Sequence, residues 1–360
     1  VNGDEQKIRI VQAENLAALV PAEHEWDVFA QLRSLKELQT KDSRPFLVLE
    51  LADVHAVVEA KIWDNAPEAL AAAKAAPLRG PVKVRGRVRE WQGRPQLVID
   101  RLKAVEPGET PPGFSLDQLI DPALAAVEDL CSKTLVFDIE TVPAFERRDL
   151  PASVAAALAD NATLKQMEPD AVMGMSPFFG KVVSLALGDG DAEVDDVTVL
   201  AVPPDGVTID PCPKWLRPMS EPELLRAFWA LCSRAETIVS FNGRGFDVPF
   251  LVTRSLIHGI PARVDLMSQR FSLRPHLDLF ELVSQKGRGP SKLDVVCWAL
   301  GIESPKEVMD GSMVAPAYAR GEIVKIAEYN AHDVKATSAV YRKCRDLILR
   351  YRSDWQPSKK

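Results

Sequence analysis

No two of the five cysteines, Cys131, Cys212, Cys232, Cys297 and Cys344, are spaced as a CxxC pair. Their scatter argues against both a zinc site and a disulfide framework, and it points to a reducing cytoplasm. Nowhere does the chain approach the roughly 18 consecutive apolar residues of a membrane-spanning helix, so no membrane partner is expected. The opening Val1-Asn2-Gly3-Asp4 is acidic and carries neither the basic nor the apolar region of a secretion signal. Internal repeats and low-complexity tracts are also missing, which sets aside repeat architectures. What remains is a globular composition, 46% hydrophobic and 26% charged over 360 residues, a length that suggests two domains. The formal charge of −7 is a whole-chain sum, and such a sum hides patches.

Residues 105–122, VEPGETPPGFSLDQLIDP, are dense in proline, glycine and acidic residues and separate two stretches of different hydrophobic periodicity. They place a boundary near Pro111 to Leu116. The expected organisation is a first domain over 1–110, a linker with a lead-in helix over 111–129, and a second domain over 130–360. Upstream, strands are expected at Trp26 to Leu38, Pro45 to Ala52, Ala56 to Trp63, Val82 to Trp91 and Gln96 to Ala104. An alanine-rich helix, Ala66 to Ala76, falls between the third and fourth. Five strands with one helix in that gap is the element order of an all-β OB-fold barrel, whose face commonly binds single strands or oligosaccharides.

On the fourth strand Lys83, Arg85, Arg87 and Arg89 alternate with Val82, Val84, Gly86 and Val88, and period two puts all four cations on one face. Between Arg79 and Lys103 eight basic residues stand against two acidic ones. An alternating strand of this kind is either a solvated outer face or a surface for a polyanion. Phe46, Trp63 and Trp91 are available for stacking, with core packing as their competing role. The segment PFLVLELADVHAVVEAKIWDNAPEA, through Asp53, Ala60, Lys61, Trp63 and Asp64, resembles the N-terminal OB-fold of a group of bacterial 3′-to-5′ exoribonucleases. It departs from them at Val54-His55-Ala56, where a glycine-containing turn is expected.

In the second half, Thr134 to Thr141 is an apolar strand that ends in Asp138 and Glu140, two apart and so on one side. Paired carboxylates on an apolar strand are costly unless a cation or hydrogen bonds compensate. Val182 to Gly188 and Val197 to Val202 continue as strands, giving a meander of three. Between them and the first strand, residues 143–181 form a long, partly helical insertion, suited to covering a substrate or merely structural. A helix from Glu221 to Arg234 leads into a strand, Thr237 to Asn242, and Asp247 follows at a helix entrance, where N-capping is its simplest role. In the last helix, Glu322 to Leu349, Tyr329 and Asp333 are four apart and share a face.

Asp-x-Glu on a strand, Asn-x-x-x-Phe-Asp after a later strand and Tyr-x-x-x-Asp on a late helix occur in the order and spacing of the DEDD, or DnaQ-like, 3′-to-5′ exonucleases, which the second half resembles. Tyrosine four before the final aspartate matches the subgroup that includes polymerase proofreading domains. The histidine version would need histidine where Glu328 stands, and His332 points elsewhere on the helix. Through FDIETV, SFNGRGFDVPFL, HLDLFELV, SKLDVVCWALGI and YNAHDVKAT, residues 130 to 350 are similar to bacterial predicted exonucleases related to the family-B polymerase exonuclease domain. The resemblance implies a ribonuclease-H-like α/β fold, a mixed sheet flanked by helices.

It further implies two divalent cations, Mg²⁺ or Mn²⁺, which suit an all-carboxylate site without histidine or cysteine clusters. Asp138 would bridge both, Glu140 and Asp333 would hold the first and Asp247 the second. Tyr329, a phenol of ordinary pKa near 10, would orient the attacking water rather than act as base. Phe241 and Asn242 are expected to frame the terminal nucleotide, with core packing competing for Phe241. Arg244, Lys286, Arg288 and Lys292 are candidate phosphate contacts, and Asp278 a structural or functional position. The expected substrate is the 3′ end of single-stranded DNA, with RNA as the alternative, hydrolysed to nucleoside 5′-monophosphates. A non-catalytic nucleic-acid-binding protein is the competing class.

Overall fold

The computed structural model describes residues 9–91, 94–192, 196–267, 272–284, 292–303 and 309–355. Two compact units divide the chain, the first ending at Pro122 and the second beginning at Ala123.

The first unit holds β1 (Ile10–Gln12), β2 (Glu25–Gln39), β3 (Pro45–Ala52), β4 (Val57–Ile62), α1 (Pro67–Ala75), β5 (Pro81–Trp91) and β6 (Arg94–Ala104). Strands β2-β3-β4-β6-β5 form a continuous ladder, and β5 pairs back onto β2, so five strands close into a barrel compatible with an OB-fold. The short β1 adds a parallel strand to β2 that hydrophobic patterning did not reveal. Alternation drives the closure. Leu47, Leu49 and Leu51 on β3, Val82 and Val84 on β5, and Leu97 and Ile99 on β6 point inward and are buried, with Ala69 and Ala73 of α1 packed on the same core.

Two local devices make the barrel possible. At Val54-His55-Ala56 no glycine is needed, because the Asp53 carboxylate accepts the backbone N–H groups of His55 and Ala56, each at 2.7 Å. Its second oxygen accepts Leu16 N–H at 2.6 Å. At Gly86 the β5–β6 register shifts, and a Cβ there would lie 2.0 Å from the Val98 carbonyl oxygen. Gly86→Ala is therefore expected to destabilise the protein by about 2–4 kcal/mol, read as a lower midpoint in urea unfolding. A midpoint equal to wild type would remove the close-approach argument.

In the second unit β7 (Thr134–Pro143) is followed by α2 (Ala152–Lys165) and α3 (Pro169–Gly174), then β8 (Gly180–Asp189), β9 (Val197–Ala201), β10 (Leu216–Pro218), α4 (Glu221–Arg234), β11 (Thr237–Ser240), α5 (Asp247–Ile257), β12 (His276–Asp278), α6 (Leu279–Val283), α7 (Leu293–Leu300), α8 (Val314–Ala319) and α9 (Ile323–Leu347). The sheet order is β10-β9-β8-β7-β11-β12. β7, β8 and β9 are an antiparallel meander, while β11 runs parallel to β7 and to β12. The sheet is thus mixed.

Helices cover both faces, as neighbours on β7 show. Phe137 packs tilted against Phe228 of α4, ring centroids 4.9 Å apart, whereas Asp138 on the opposite face is hydrogen-bonded by Asn330 of α9. β11 stops at Ser240 rather than Asn242, because Asn242 takes a left-handed conformation, φ 62°, and turns the chain. The 143–181 insertion carries its own small core of Leu158, Ala162, Val172 and Met173. Among the described residues no helix is long and apolar enough to cross a membrane.

Candidate active site: a cluster of buried carboxylates

β7 presents Asp138 and Glu140 on one face, and α9 lies across that face with Tyr329, Asn330 and Asp333. Oxygen atoms of Asp138, Glu140 and Asp333 all lie within 4.8 Å of one another. Residues 193 positions apart in sequence are brought together because β7 is central in the sheet and α9 packs across it.

Asp247 is the first residue of α5, but it is not the cap: that position belongs to Phe246. Its carboxylate is 4% exposed and accepts the Ile139 N–H of β7 at 3.2 Å. The capping role is thereby replaced by a contact between the carboxylate-bearing strand and the entrance of α5. Asp247 stands outside the group of three by distance but acts on it through charge.

Burial raises the Asp138 carboxyl well above the usual range, reinforced by the charges of Asp247, Asp333 and Glu140. Glu140 is raised well up by burial, then by Asp333 and Asp247. Asp247 is pushed up to about 7, again chiefly by burial, with the Ile139 N–H pulling the other way. Four acids in one poorly solvated place disfavour their own ionisation, and a hard divalent cation relieves that cost with oxygen ligands of the right kind. The donor set therefore fits Mg²⁺ or Mn²⁺.

Tyr329 is 8% exposed, and its phenol donates a hydrogen bond to Asp333. Burial and the three surrounding carboxylates push its ionisation far above that of a free phenol, so it stays protonated. His332 is exposed on the other side of α9, as its position in the helix implied.

Asn330 escaped the sequence reading. It is fully buried, donates from Nδ2 to Asp138 Oδ2 at 2.7 Å, and accepts from Ser184 Oγ at 2.8 Å through Oδ1. A carboxylate only accepts, so the amide must turn its NH₂ toward Asp138. The chain Ser184–Asn330–Asp138 crosses β8, α9 and β7 and fixes one carboxylate oxygen. Its only sequence signal was a polar residue at a position of α9 facing the sheet, next to Tyr329. Asn330→Leu is expected to raise the Mn²⁺ concentration at half-saturation about 10–100-fold, the usual cost of losing a group that orients a ligand. An unchanged calorimetric titration would remove it from the site.

Asp278, at the end of β12, accepts the N–H groups of Asn242 at 2.9 Å, Arg244 at 3.0 Å and Phe280 at 3.0 Å, and so holds the turn that delivers Asp247. Gly243 fits there because a Cβ would meet Ser240 Oγ at 2.2 Å. Arg244 points inward: it donates to the carbonyls of Leu266 at 3.3 Å, Ser272 at 3.3 Å and His276 at 2.7 Å, and pairs with Glu281 at 3.4 Å. This corrects its expected role as a phosphate contact, since its donors are engaged inside the unit. Phe241 sits edge-on to Phe280, 5.9 Å away, against the core, while Asn242 is exposed. Lys292 is exposed at the start of α7. Lys286 and Arg288 lie outside the described residues.

On the barrel, Lys83 and Arg85 pair with Asp27 at 3.3 and 2.6 Å, and Arg87 pairs with Glu25 at 3.1 Å. Arg85 holds the Asp27 carboxyl below its usual value. Acids of the neighbouring β2 thus offset much of the charge that the β5 pattern exposed, leaving Arg89 exposed at the end of the row. Phe46 and Trp63 stack on each other, 4.8 Å apart, and Lys61 Nζ lies 5.9 Å over Trp63.

The family model described as a predicted 3′-5′ exonuclease related to the exonuclease domain of PolB matches residues 216–351. That stretch contains Asp247, Tyr329, Asn330 and Asp333 and begins after β7. Among solved structures, the family B DNA polymerase from the hyperthermophilic archaeon Pyrobaculum calidifontis is similar at 15% identity and a TM-score of 0.42, over 88% of this chain and 46% of that one. The chain spans less than half the length of that polymerase. The second OB-fold domain of replication protein A from Methanococcus maripaludis matches at 16% identity and a TM-score of 0.22, over 28% of this chain and 100% of that one. An OB domain from Thermoplasma acidophilum matches at 14% identity and a TM-score of 0.22, over 28% and 91% of the two chains.

Proposed function

We propose that the second unit is a metal-dependent 3′-to-5′ exonuclease of ribonuclease-H-like fold that releases nucleoside 5′-monophosphates from single-stranded nucleic acid, DNA in preference to RNA. The observation that carries this reading is the convergence of Asp138, Glu140 and Asp333 from β7 and α9 within 4.8 Å, with the family match over the part of the chain that supplies Asp333. Asp138, Glu140, Asp333 and Asp247 are the residues that would hold two divalent cations. When bound, such cations supply a nucleophile at neutral pH and neutralise charge on the phosphoryl group and the departing 3′ oxygen.

The protein's own part is positional. Asn330 holds Asp138 in one orientation, and Ile139 N–H holds Asp247. Tyr329, protonated and hydrogen-bonded to Asp333, orients the attacking water by hydrogen bonding and does not take its proton. Phe241 supports the turn from the core, and the exposed Asn242 beside it faces the terminal nucleotide. Lys292, with Lys286 and Arg288, is proposed to meet phosphates.

The first unit is proposed to be an OB-fold that grips the strand. Its grip comes from Arg89 and the Phe46–Trp63 pair, supplemented by Lys83, Arg85 and Arg87 where a phosphate displaces Asp27 or Glu25. A time course with Mn²⁺ on matched 5′-labelled DNA and RNA strands tests the reading. A ladder shortening from the 3′ end, faster on DNA, is expected. Absence of metal-dependent shortening would leave a binding protein.

A further inference from the structure

Beyond the carboxylates, the second unit contains a cleft of about 1070 Å³ built largely from the 143–181 insertion. Its two walls continue the two elements of the site. Val142 and Pro143, directly after Glu140 and Thr141 on β7, lead into Phe145 on one side; α8, which leads into the helix of Tyr329 and Asp333, forms the other. The insertion is tied to that strand by Thr141 Oγ donating to the Gly174 carbonyl at 2.7 Å and by Ala144 N–H donating to the Phe179 carbonyl at 2.8 Å. The cleft is therefore held at the end of β7, starting two residues beyond Glu140.

Its lining is unusual for a small-molecule pocket. Small apolar residues face it from both helices, Ala155 and Ala159 of α2 and Ala315 and Ala319 of α8, and among the described residues no asparagine, glutamine, serine or threonine side chain lines it. Flat apolar walls meet the faces of bases but cannot read their edges. Phe145 is 52% exposed at the rim. Two cations line it, the exposed Arg147 and Arg148, the latter paired with Glu146 at 2.7 Å, together with two acids, Glu146 and Asp170, while Lys181, beside the lining, holds its Nζ 5.0 Å over the Tyr318 ring of the α8 wall. The volume reaches past the roughly 300–1,000 Å³ typical of small ligands.

We propose that this cleft holds the nucleotides immediately upstream of the cleaved one, taking an unpaired strand without base preference. Phe145 stacks on a base, and Arg147, Arg148 and Lys181 meet the phosphates. A duplex hides its base faces in the stack, so the cleft selects single strands. The placement of the strand rests on the exonuclease reading, and binding to the cleft does not.

The test uses the full chain in EDTA, where nothing is cut. Fluorescence anisotropy of short thymidine oligonucleotides is compared for wild type, Phe145→Ala, the double variant Arg147→Ala/Arg148→Ala, and Ala159→Trp, which fills the cleft from an exposed helix position. Phe145→Ala and Ala159→Trp are expected to weaken binding about tenfold. The double arginine variant should show a shallower dependence of log affinity on log salt, by about 0.7 for each phosphate that is no longer neutralised. Arg226→Ala, exposed on α4 outside the cleft, serves as control. Iodouracil-containing strands, photo-crosslinked to wild type, should label the peptide carrying Phe145. Variants that bind like wild type, or crosslinks confined to the barrel, overturn the proposal. The same strands are incubated with Mn²⁺ in parallel: cleft-dependent binding without cleavage would sink the exonuclease and keep the cleft.

Discussion

Asp138→Asn is expected to reduce metal-dependent cleavage sharply while raising the melting temperature of the metal-free protein. Asp138 sits among Asp247, Asp333 and Glu140, and burial together with those charges opposes its ionisation. Replacing it with an isosteric amide removes one member of a repelling group and keeps an acceptor for Asn330 Nδ2, so the fold gains what the site loses. Cleavage is expected to fall on the order of 10³-fold, the scale of losing a group that holds charge at a reacting phosphate. The apo melting temperature is expected to rise by several degrees. A melting curve in EDTA and a Mn²⁺ time course on one preparation check both halves. Undiminished cleavage would remove Asp138 from the chemistry, and a lowered melting temperature would show that the carboxylate is needed for folding.

The second large effect expected is a metal-free stability that falls as pH rises, offset by a stabilisation by metal that grows over the same range. Asp247 has a folded pKa of about 7 against 3.8 for the free side chain, and Asp138 and Glu140 are raised well above their ordinary values. A carboxyl whose folded pKa exceeds its unfolded one stabilises the fold when protonated. That contribution is full below the unfolded value and is lost as pH rises through the folded one. For Asp247 the window runs from about pH 4 to about pH 7, and full ionisation costs on the order of a few kcal/mol. The metal-free protein should accordingly melt several degrees higher at pH 6 than at pH 8.5. Divalent cations bind the ionised form, so the stabilisation by Mn²⁺ grows as pH rises. Differential scanning calorimetry at the two pH values, in EDTA and in Mn²⁺, checks the pattern. A metal-induced shift that is the same at both would detach the cation from these acids.

The positions of β2 to β9 and of β11 were legible because period-two or continuous apolar patterning survives there, as at Leu47, Leu49 and Leu51 or Val82 and Val84, whereas the three-residue β1, β10 and β12 are too short to show it. Asp138 and Glu140 were legible for the same reason: two polar residues on an otherwise apolar strand break the pattern visibly. Less visible was the destination of charge. The alternating cations of β5 read as an open basic face until β2, paired beside it, brought Asp27 and Glu25 against them. Arg244 read as a loop cation and turned out to be held by three carbonyls of segments 22–32 residues further along the chain.

By itself, the sequence determined the five long strands of the first unit and the spacings Asp138–Glu140 and Tyr329–Asp333, since each depends on periodicity or spacing within one segment. Only the tertiary structure decided what those groups meet. Asn330 faces Asp138 because α9 crosses β7, the Asp247 carboxylate takes Ile139 N–H instead of capping its own helix, and the insertion walls a cleft with α8. Those contacts join segments up to 192 residues apart, and their energies depend on burial and on the field of neighbouring charges. Neither quantity has a local signature along the chain.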